Sequence, residues 1–412
     1  MKNRAAHPLP VRGGPKWACR LLIEVLSPFP TLKFSPSTEE FTVHHEPPST
    51  GPSTTSVSST QRIEGLDTIR FVLAMCVVFG HCGFLPFHLP FERIPHIGFA
   101  VRSFQHNIVN APAAVIAFFV ISGFCVHYPQ RGLDRVDLLP FYARRHIRIL
   151  IPAGFAAIIS NGEGVGLRHL ADSILWSLLC EEIYYTVYPL LLRLRARTGM
   201  LSLLVVSYVA SYAVVFLCTN PNGNYQAYGT VLNAVLGYPC WLLGVWLAER
   251  IDLDFATNPA NRRAPWGWRA GAFVLGVILS ILRFHTPVSY PWTLNLFALY
   301  VFGWLRAEIL STKIRGSIRM LEAGGAFSYS IYLVHMYANT VWKKNPYASA
   351  WTKSSPFLAW FPQIAFIVFV AYVSYRLVEK PSHAMARQFQ RWIVLRTARP
   401  RPLAGAAPNS TR

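Results

Sequence analysis

Arg70 and His81 lie in one apolar run, LDTIRFVLAMCVVFGHCGFLPF, residues 66–87, which is long enough to cross a bilayer. They are eleven positions apart, close to three helical turns, so both side chains fall on one helix face about 16 Å apart. Ionisable groups at membrane depth are costly, and those kept there face a cavity or a reaction path. Desolvation favours the uncharged imidazole, and an uncharged imidazole beside a hydroxyl can act as a general base. The bland alternative is a histidine that only hydrogen-bonds a neighbouring helix.

Five further motifs carry chemistry or positioning. In FYARRHIRILIP, residues 141–152, Arg144 and Arg148 are four apart and share a helix face. Paired guanidiniums suit a phosphate-rich ligand, since arginine grips phosphate oxygens bidentately; the alternative is charge anchoring at the membrane surface alone. In WSLLCEEIYYTVYP, residues 176–189, Glu181 and Glu182 sit among apolar and aromatic residues. Adjacent residues point about 100° apart on a helix, so only one of the two faces a given partner. Arg70, Arg144 and Arg148 are the candidate cations for that carboxylate, either for catalysis or as a structural ion pair. FSYSIYLVHMY, residues 327–337, holds a second intramembrane imidazole, His335, with Ser328, Ser330 and Tyr332 nearby. His335 and Ser330 are candidate substrate contacts, or glue between helices. In YRLVEKPSHAMAR, residues 375–387, Arg376, Glu379 and Lys380 share a turn. They pair locally or close the cytoplasmic mouth, with Pro381 expected to stop the helix. FFVISGF, residues 118–124, contributes the small pair Ser122 and Gly123, which permits close helix approach and carries no chemistry itself.

These residues need a scaffold of apolar helices. The chain has 412 residues, 52% of them hydrophobic and only 14% charged, too apolar for an ordinary soluble domain. The apolar residues fall in separate runs, so the fold class is all-α: a polytopic transmembrane helical bundle of about ten transmembrane helices. The expected spans are 66–87, 108–128, 149–160, 171–192, 200–218, 229–248, 268–285, 291–308, 327–342 and 357–377. The third is short or abnormal, because twelve residues rise about 18 Å against a hydrocarbon core of roughly 30 Å. Residues 1–60, basic and then rich in Ser, Thr and Pro, read as a disordered tail or as a misassigned start. Residues 61–387 read as the membrane domain and 388–412 as a basic cytoplasmic tail.

Lys and Arg outnumber Asp and Glu by 39 to 19, for a net charge of +20. The basic residues sit mostly in short segments between apolar runs, the pattern of membrane topology rather than of nucleic-acid binding. Arg131, Arg135, Arg144, Arg145 and Arg148, then Arg193, Arg195 and Arg197, then Arg250, Arg262, Arg263 and Arg269, then Lys313, Arg315 and Arg319 mark one side, and both termini fall on that cytoplasmic side. Lys343, Lys344 and Lys353 are the misfit. The seven cysteines are scattered singly, with no CxxC and no zinc spacing, so neither a disulfide framework nor a metal site is indicated.

Taken in order from about residue 62 to 387, GLDTIRFVLAMCVVFGH, FFVISGF, FYARRHIRILIP, WSLLCEEIYYTVYP, FSYSIYLVH and YRLVEKP resemble the blocks of the acyltransferase 3 family of integral-membrane O-acyltransferases. The resemblance implies ten membrane helices and transfer of an acyl group, commonly acetyl, from acyl-CoA to a hydroxyl of a cell-surface or secreted carbohydrate or similar acceptor. It implies His81 and Arg70 as the catalytic pair, Arg144 with Arg148 as the second functional motif, and Glu181 or Glu182 as the acidic block. Acyl-CoA is a co-substrate in this reading, with no bound cofactor, and the expected location is a bacterial inner membrane. The stretch between ILIP and WSLL is only 23 residues, shorter than members of the family carry there. Two other classes stay open: a transporter or flippase for polar lipids or sugars, disfavoured by the absence of internal repeats, and a non-catalytic relic of the family with a damaged third helix.

Overall fold

The structure, a computed structural model, describes residues 63, 65–86, 95–166, 174–218, 223–257 and 265–397. The tail expected at 1–60 and the end of the chain from 398 lie outside the described residues. Fourteen α-helices and no strand occur among the described residues. They are α1 (Leu66–Cys82), α2 (Pro95–Asn107), α3 (Ala111–His127), α4 (Leu138–Gly162), α5 (Trp176–Thr198), α6 (Met200–Leu217) and α7 (Gly229–Thr257). After these come α8 (Trp266–His285), α9 (Tyr290–Arg315), α10 (Arg319–Gly325), α11 (Ser328–Lys344), α12 (Pro346–Ser354), α13 (Pro356–Ser374) and α14 (Lys380–Thr397).

Among the described residues, six segments are long and apolar enough to cross a membrane: Ser103–Gln130, Met200–Leu217, Tyr225–Asp254, Trp266–His285, Tyr290–Thr312 and Pro356–Thr397. The other four expected spans coincide with α1, α4, α5 and α11. Of these, α1 and α11 have 17 residues each, shorter than the roughly 20 that a span ordinarily uses. Helices α4 and α5 are long but interrupted by the ionisable residues singled out above. The helices that fall short in length or hydropathy are therefore the ones that carry the candidate chemistry.

The bundle is organised around α3, whose residues are buried nearly all round, and which packs along α7. Gly123 on α3 and Gly244 on α7 make this possible. A β-carbon on Gly123 would run into the Trp241 carbonyl oxygen, and one on Gly244 into the Val120 carbonyl oxygen. The small residue expected to allow close approach does so, backbone against backbone. Gly123→Val is expected to force α3 and α7 apart at a cost of about 1–3 kcal/mol. Detergent-solubilised protein carrying it should lose its monodisperse peak at a lower temperature than wild type, and an unchanged thermal profile would contradict this packing. The outer helices show the opposite pattern. On α6, Val206, Val209 and Phe216 are 64%, 65% and 73% exposed, an apolar face that only lipid can cover.

Three local expectations are corrected. The apolar segment 149–160 is the second half of a longer helix: α4 has 25 residues, about 37 Å, and runs through Pro152 to Gly162, but it is not among the six segments above. Arg144, Arg145 and Arg148 are helical, as the shared face of Arg144 and Arg148 requires. The first span is shorter than 66–87. It ends at Cys82 before Gly83, whose φ of 94° few other residues adopt, so His81 sits next to the helix end rather than deep within it. Pro381 does not stop the last helix. A π-helical segment, Tyr375–Glu379, precedes it, with the Lys380 N–H donating to the Tyr375 carbonyl, and α14 continues to Thr397. The wide turn accommodates a proline that has no N–H and crowds the carbonyl four residues back. Helix α14 then folds against α4, so part of the expected tail, 388–397, is ordered helix.

Candidate active site

His81 comes from the end of α1 and His335 from the middle of α11, which packs against α1. His81 Nδ1 stands 3.0 Å from His335 Nε2. The ring planes are 19° apart and the centroids 5.1 Å apart, as an in-plane N–H···N bond requires. The His335 ring is fully buried. Its Nδ1 lies 2.8 Å from the Tyr332 carbonyl oxygen and 3.2 Å from that of Ile331. A carbonyl only accepts, so Nδ1 carries the His335 proton and its Nε2 is the acceptor. His81 must then donate from Nδ1, which makes Nε2 its basic nitrogen. His81 itself is exposed, at the rim of this pair. The two histidines that the sequence treats separately form one unit.

Arg70 emerges on the same face of α1, toward α3. Its Nη1 donates to Asp67 at 3.1 Å and its Nη2 to the Cys125 sulfur at 3.2 Å. It does not meet Glu181 or Glu182. Helix α1 is held at its start by Glu322 of α10, whose Oε1 accepts from the Gly65 N–H at 2.7 Å and the Thr68 hydroxyl at 2.9 Å. A carboxylate at a helix N-terminus satisfies its orphan N–H groups and suits its dipole.

The two glutamates diverge, as their adjacent positions require, but neither takes an arginine. Glu181 accepts from the hydroxyl of Ser122 on α3 and from that of Tyr185, four residues on along α5. Ser122 in turn accepts from the Trp241 indole N–H at 3.3 Å, so this serine is part of a polar network and not only a packing residue. Glu182 turns to α4 and pairs with His146 Nδ1. The expected ion pairs with Arg70, Arg144 or Arg148 are replaced by neutral hydroxyls and an imidazole, which lie nearer.

Helix α4 presents Arg144, Arg145 and Arg148. The Arg145 guanidinium lies 5.7 Å from the Tyr185 ring centroid. Arg148 is exposed to solvent-sized space, yet its charge is felt by Arg70, Arg145, Tyr185 and Glu379. Helix α14 adds Arg387, close enough to act on Arg144. None of these four arginines forms an ion pair with a described residue. The sequence does not single out Arg387, the last residue of YRLVEKPSHAMAR, because a helix stop at Pro381 would leave it without a helix face. The signal was present: α14 is amphipathic, burying Ser382, Ala386 and Ile393.

Ser330 is buried, and both its N–H and its hydroxyl hold Glu379 Oε2, at 3.1 and 2.6 Å. Arg376 is exposed and donates to the Tyr372 hydroxyl at 3.0 Å, so the local Arg376–Glu379 pairing is absent. Tyr329 and Tyr332 complete the face of α11. Tyr329 lies near Glu181, Glu182 and Glu379 and donates to the Ile149 carbonyl at 3.0 Å. The Tyr332 hydroxyl is 2.7 Å from that of Ser177. Tyr329, Tyr332 and His335, three apart on α11, make a polar seam that ends at the imidazole pair. The spacing was readable in FSYSIYLVH, but its direction was not.

Fold and site define a helical membrane protein with an imidazole pair at one end of a polar seam and a cluster of arginines on α4 and α14. Residues 63–376 match the family model described as an acyltransferase domain, and the chain belongs to this acyltransferase 3 family. No curated protein and no solved structure matches the chain.

Proposed function

We propose that the protein is a membrane O-acyltransferase that moves an acyl group, with acetyl the expected one, from acyl-CoA to a hydroxyl of a carbohydrate or similar cell-surface or secreted acceptor. The observation that carries this reading is the His81–His335 pair in a chain of this family. Its tautomers leave His81 Nε2 as the proton acceptor, backed by a second imidazole that is itself fixed by a backbone carbonyl.

In the proposed reaction the phosphates of acyl-CoA meet Arg144 and Arg148, with Arg145 and Arg387 beside them. The pantetheine arm follows the seam past Tyr329 and Tyr332. His81 Nε2 takes the proton of the acceptor hydroxyl as its oxygen attacks the thioester carbonyl. The C–O ester bond forms, the C–S bond breaks, and the proton passes to the departing thiolate. His335 Nε2 accepts from His81 Nδ1–H throughout, which steadies the imidazolium formed in between. Arg70, about 16 Å from His81 along α1, is too distant for the developing oxyanion and suits the CoA moiety. A relic of the family would show no thiol release with any acceptor. The distribution of basic residues supports termini in the cytoplasm, and the family's usual acceptors point to a bacterial inner membrane.

The test has two readouts. Purified protein should release CoA thiol from acetyl-CoA only when a hydroxyl acceptor is present. Surface glycans from a deletion strain should lack one acetyl mass increment. Substrate movement across proteoliposomes with no thiol release would replace this reading with the transporter.

A further inference from the structure

Away from the histidines, a half-open cleft of about 490 Å³ lies between α7, α8 and α9, lined among others by Trp246, Arg250, Asp254, Trp268, Phe302 and Arg306. Its size falls in the range of small-ligand sites, ~300–1,000 Å³. We propose that it holds the phosphate headgroup of an anionic phospholipid, with Arg250 as the phosphate ligand.

The position is that of a membrane–water interface. Asp254 closes one candidate membrane segment, Tyr225–Asp254, and Trp266 opens another, Trp266–His285. Trp268 and Trp246 stand at this level, where tryptophan concentrates in membrane proteins. Trp246 stacks on Phe302 with centroids 5.1 Å apart, and Trp268 packs on Tyr300 at 4.9 Å, so the cleft has apolar walls for the upper part of an acyl chain.

Charge selects the ligand. Arg306 is neutralised by Asp254 through two bonds, 2.6 and 2.9 Å. Next to the cleft, Arg269 is neutralised by Glu308 in the same bidentate manner, at 2.7 and 2.9 Å. Arg250 is different. It is exposed, its guanidinium lies 5.5 Å from the Trp246 ring centroid, and it forms no ion pair with a described residue. Among the described residues lining and flanking the cleft, one guanidinium over an aromatic face stands beside two closed ion pairs, a net positive charge of one. That matches one phosphodiester, and basic pockets between membrane helices bind lipid headgroups in this way. Among the described residues lining the cleft, the one carboxylate, Asp254, is already occupied by Arg306 and is not open to the ammonium group of a zwitterionic lipid.

The experiment is native mass spectrometry of the full chain released from nanodiscs containing equal phosphatidylglycerol and phosphatidylcholine. Wild type should retain phosphatidylglycerol in preference to phosphatidylcholine. Arg250→Gln should lower the retained phosphatidylglycerol about tenfold, the worth of one charge-assisted hydrogen bond, and Arg250→Lys should fall between, holding the charge without the fork. Should Arg250→Gln fail to fold, the Arg250→Lys comparison decides. Equal retention of the two lipids, unchanged retention in the variants, or displacement of the lipid by inorganic phosphate at matched concentration would each overturn the proposal.

Discussion

His81→Ala is expected to reduce acyl transfer from acyl-CoA by about 10²–10⁴ in kcat, the usual contribution of a general base, while the protein still reaches the membrane and elutes normally in detergent. The fold should survive because His81 lies at the exposed end of α1, outside the α3–α7 core. Losing it removes the nitrogen that takes the hydroxyl proton and leaves His335 Nε2 without its donor. The imidazole of His335 does not take its place, since it is fully buried on α11 while His81 stands at the exposed rim. Acyl-CoA affinity should change little, as the arginine cluster is remote from this end of the seam. Activity retained in the variant would remove the base assignment.

The second large effect is expected at the arginine cluster. Arg144→Ala combined with Arg148→Ala should weaken acyl-CoA binding by about 10- to 100-fold, from the loss of charge-assisted bonds worth ~1.5–3 kcal/mol each and partly shared with Arg145 and Arg387. Like charges gathered on α4 and α14 with no carboxylate paired to them among the described residues repel one another until an anion arrives. The wild-type affinity should therefore fall steeply as salt rises, and the double variant should show a shallower dependence. Isothermal titration with acyl-CoA and with desulfo-CoA at two ionic strengths checks both. An equal loss of affinity for acyl-CoA and for the acceptor would count against a phosphate role.

The ionisable residues that interrupt apolar runs were visible in the sequence because nothing about helix formation requires them there. His81, Arg70, Arg148 and His335 all belong to the described site for that reason. Their pairings were not legible. Glu181 and Glu182 look like partners for arginine in one dimension, but Ser122 on α3 and His146 on α4 are invisible as partners until those helices are packed, and only Tyr185, four residues beyond Glu181, was within reach of a sequence reading. Similarly, the length of α4 was hidden because its arginines resemble a loop in a hydropathy reading, although a cationic helix face serves both anchoring and ligand binding. The path past Pro381 was hidden because the widened turn at Tyr375–Glu379 is a backbone solution that composition does not announce. Close packing at Gly123 was readable from residue size alone.

The central claim is that the two imidazoles work as one unit. The direct measurement is a double-mutant cycle on kcat/KM for acyl transfer with purified His81→Ala, His335→Ala and the double variant. Residues that act together show strongly non-additive losses, so the double variant is predicted to lie within about threefold of His81→Ala alone. Losses that multiply across the two sites, or full activity in His335→Ala, would contradict the account.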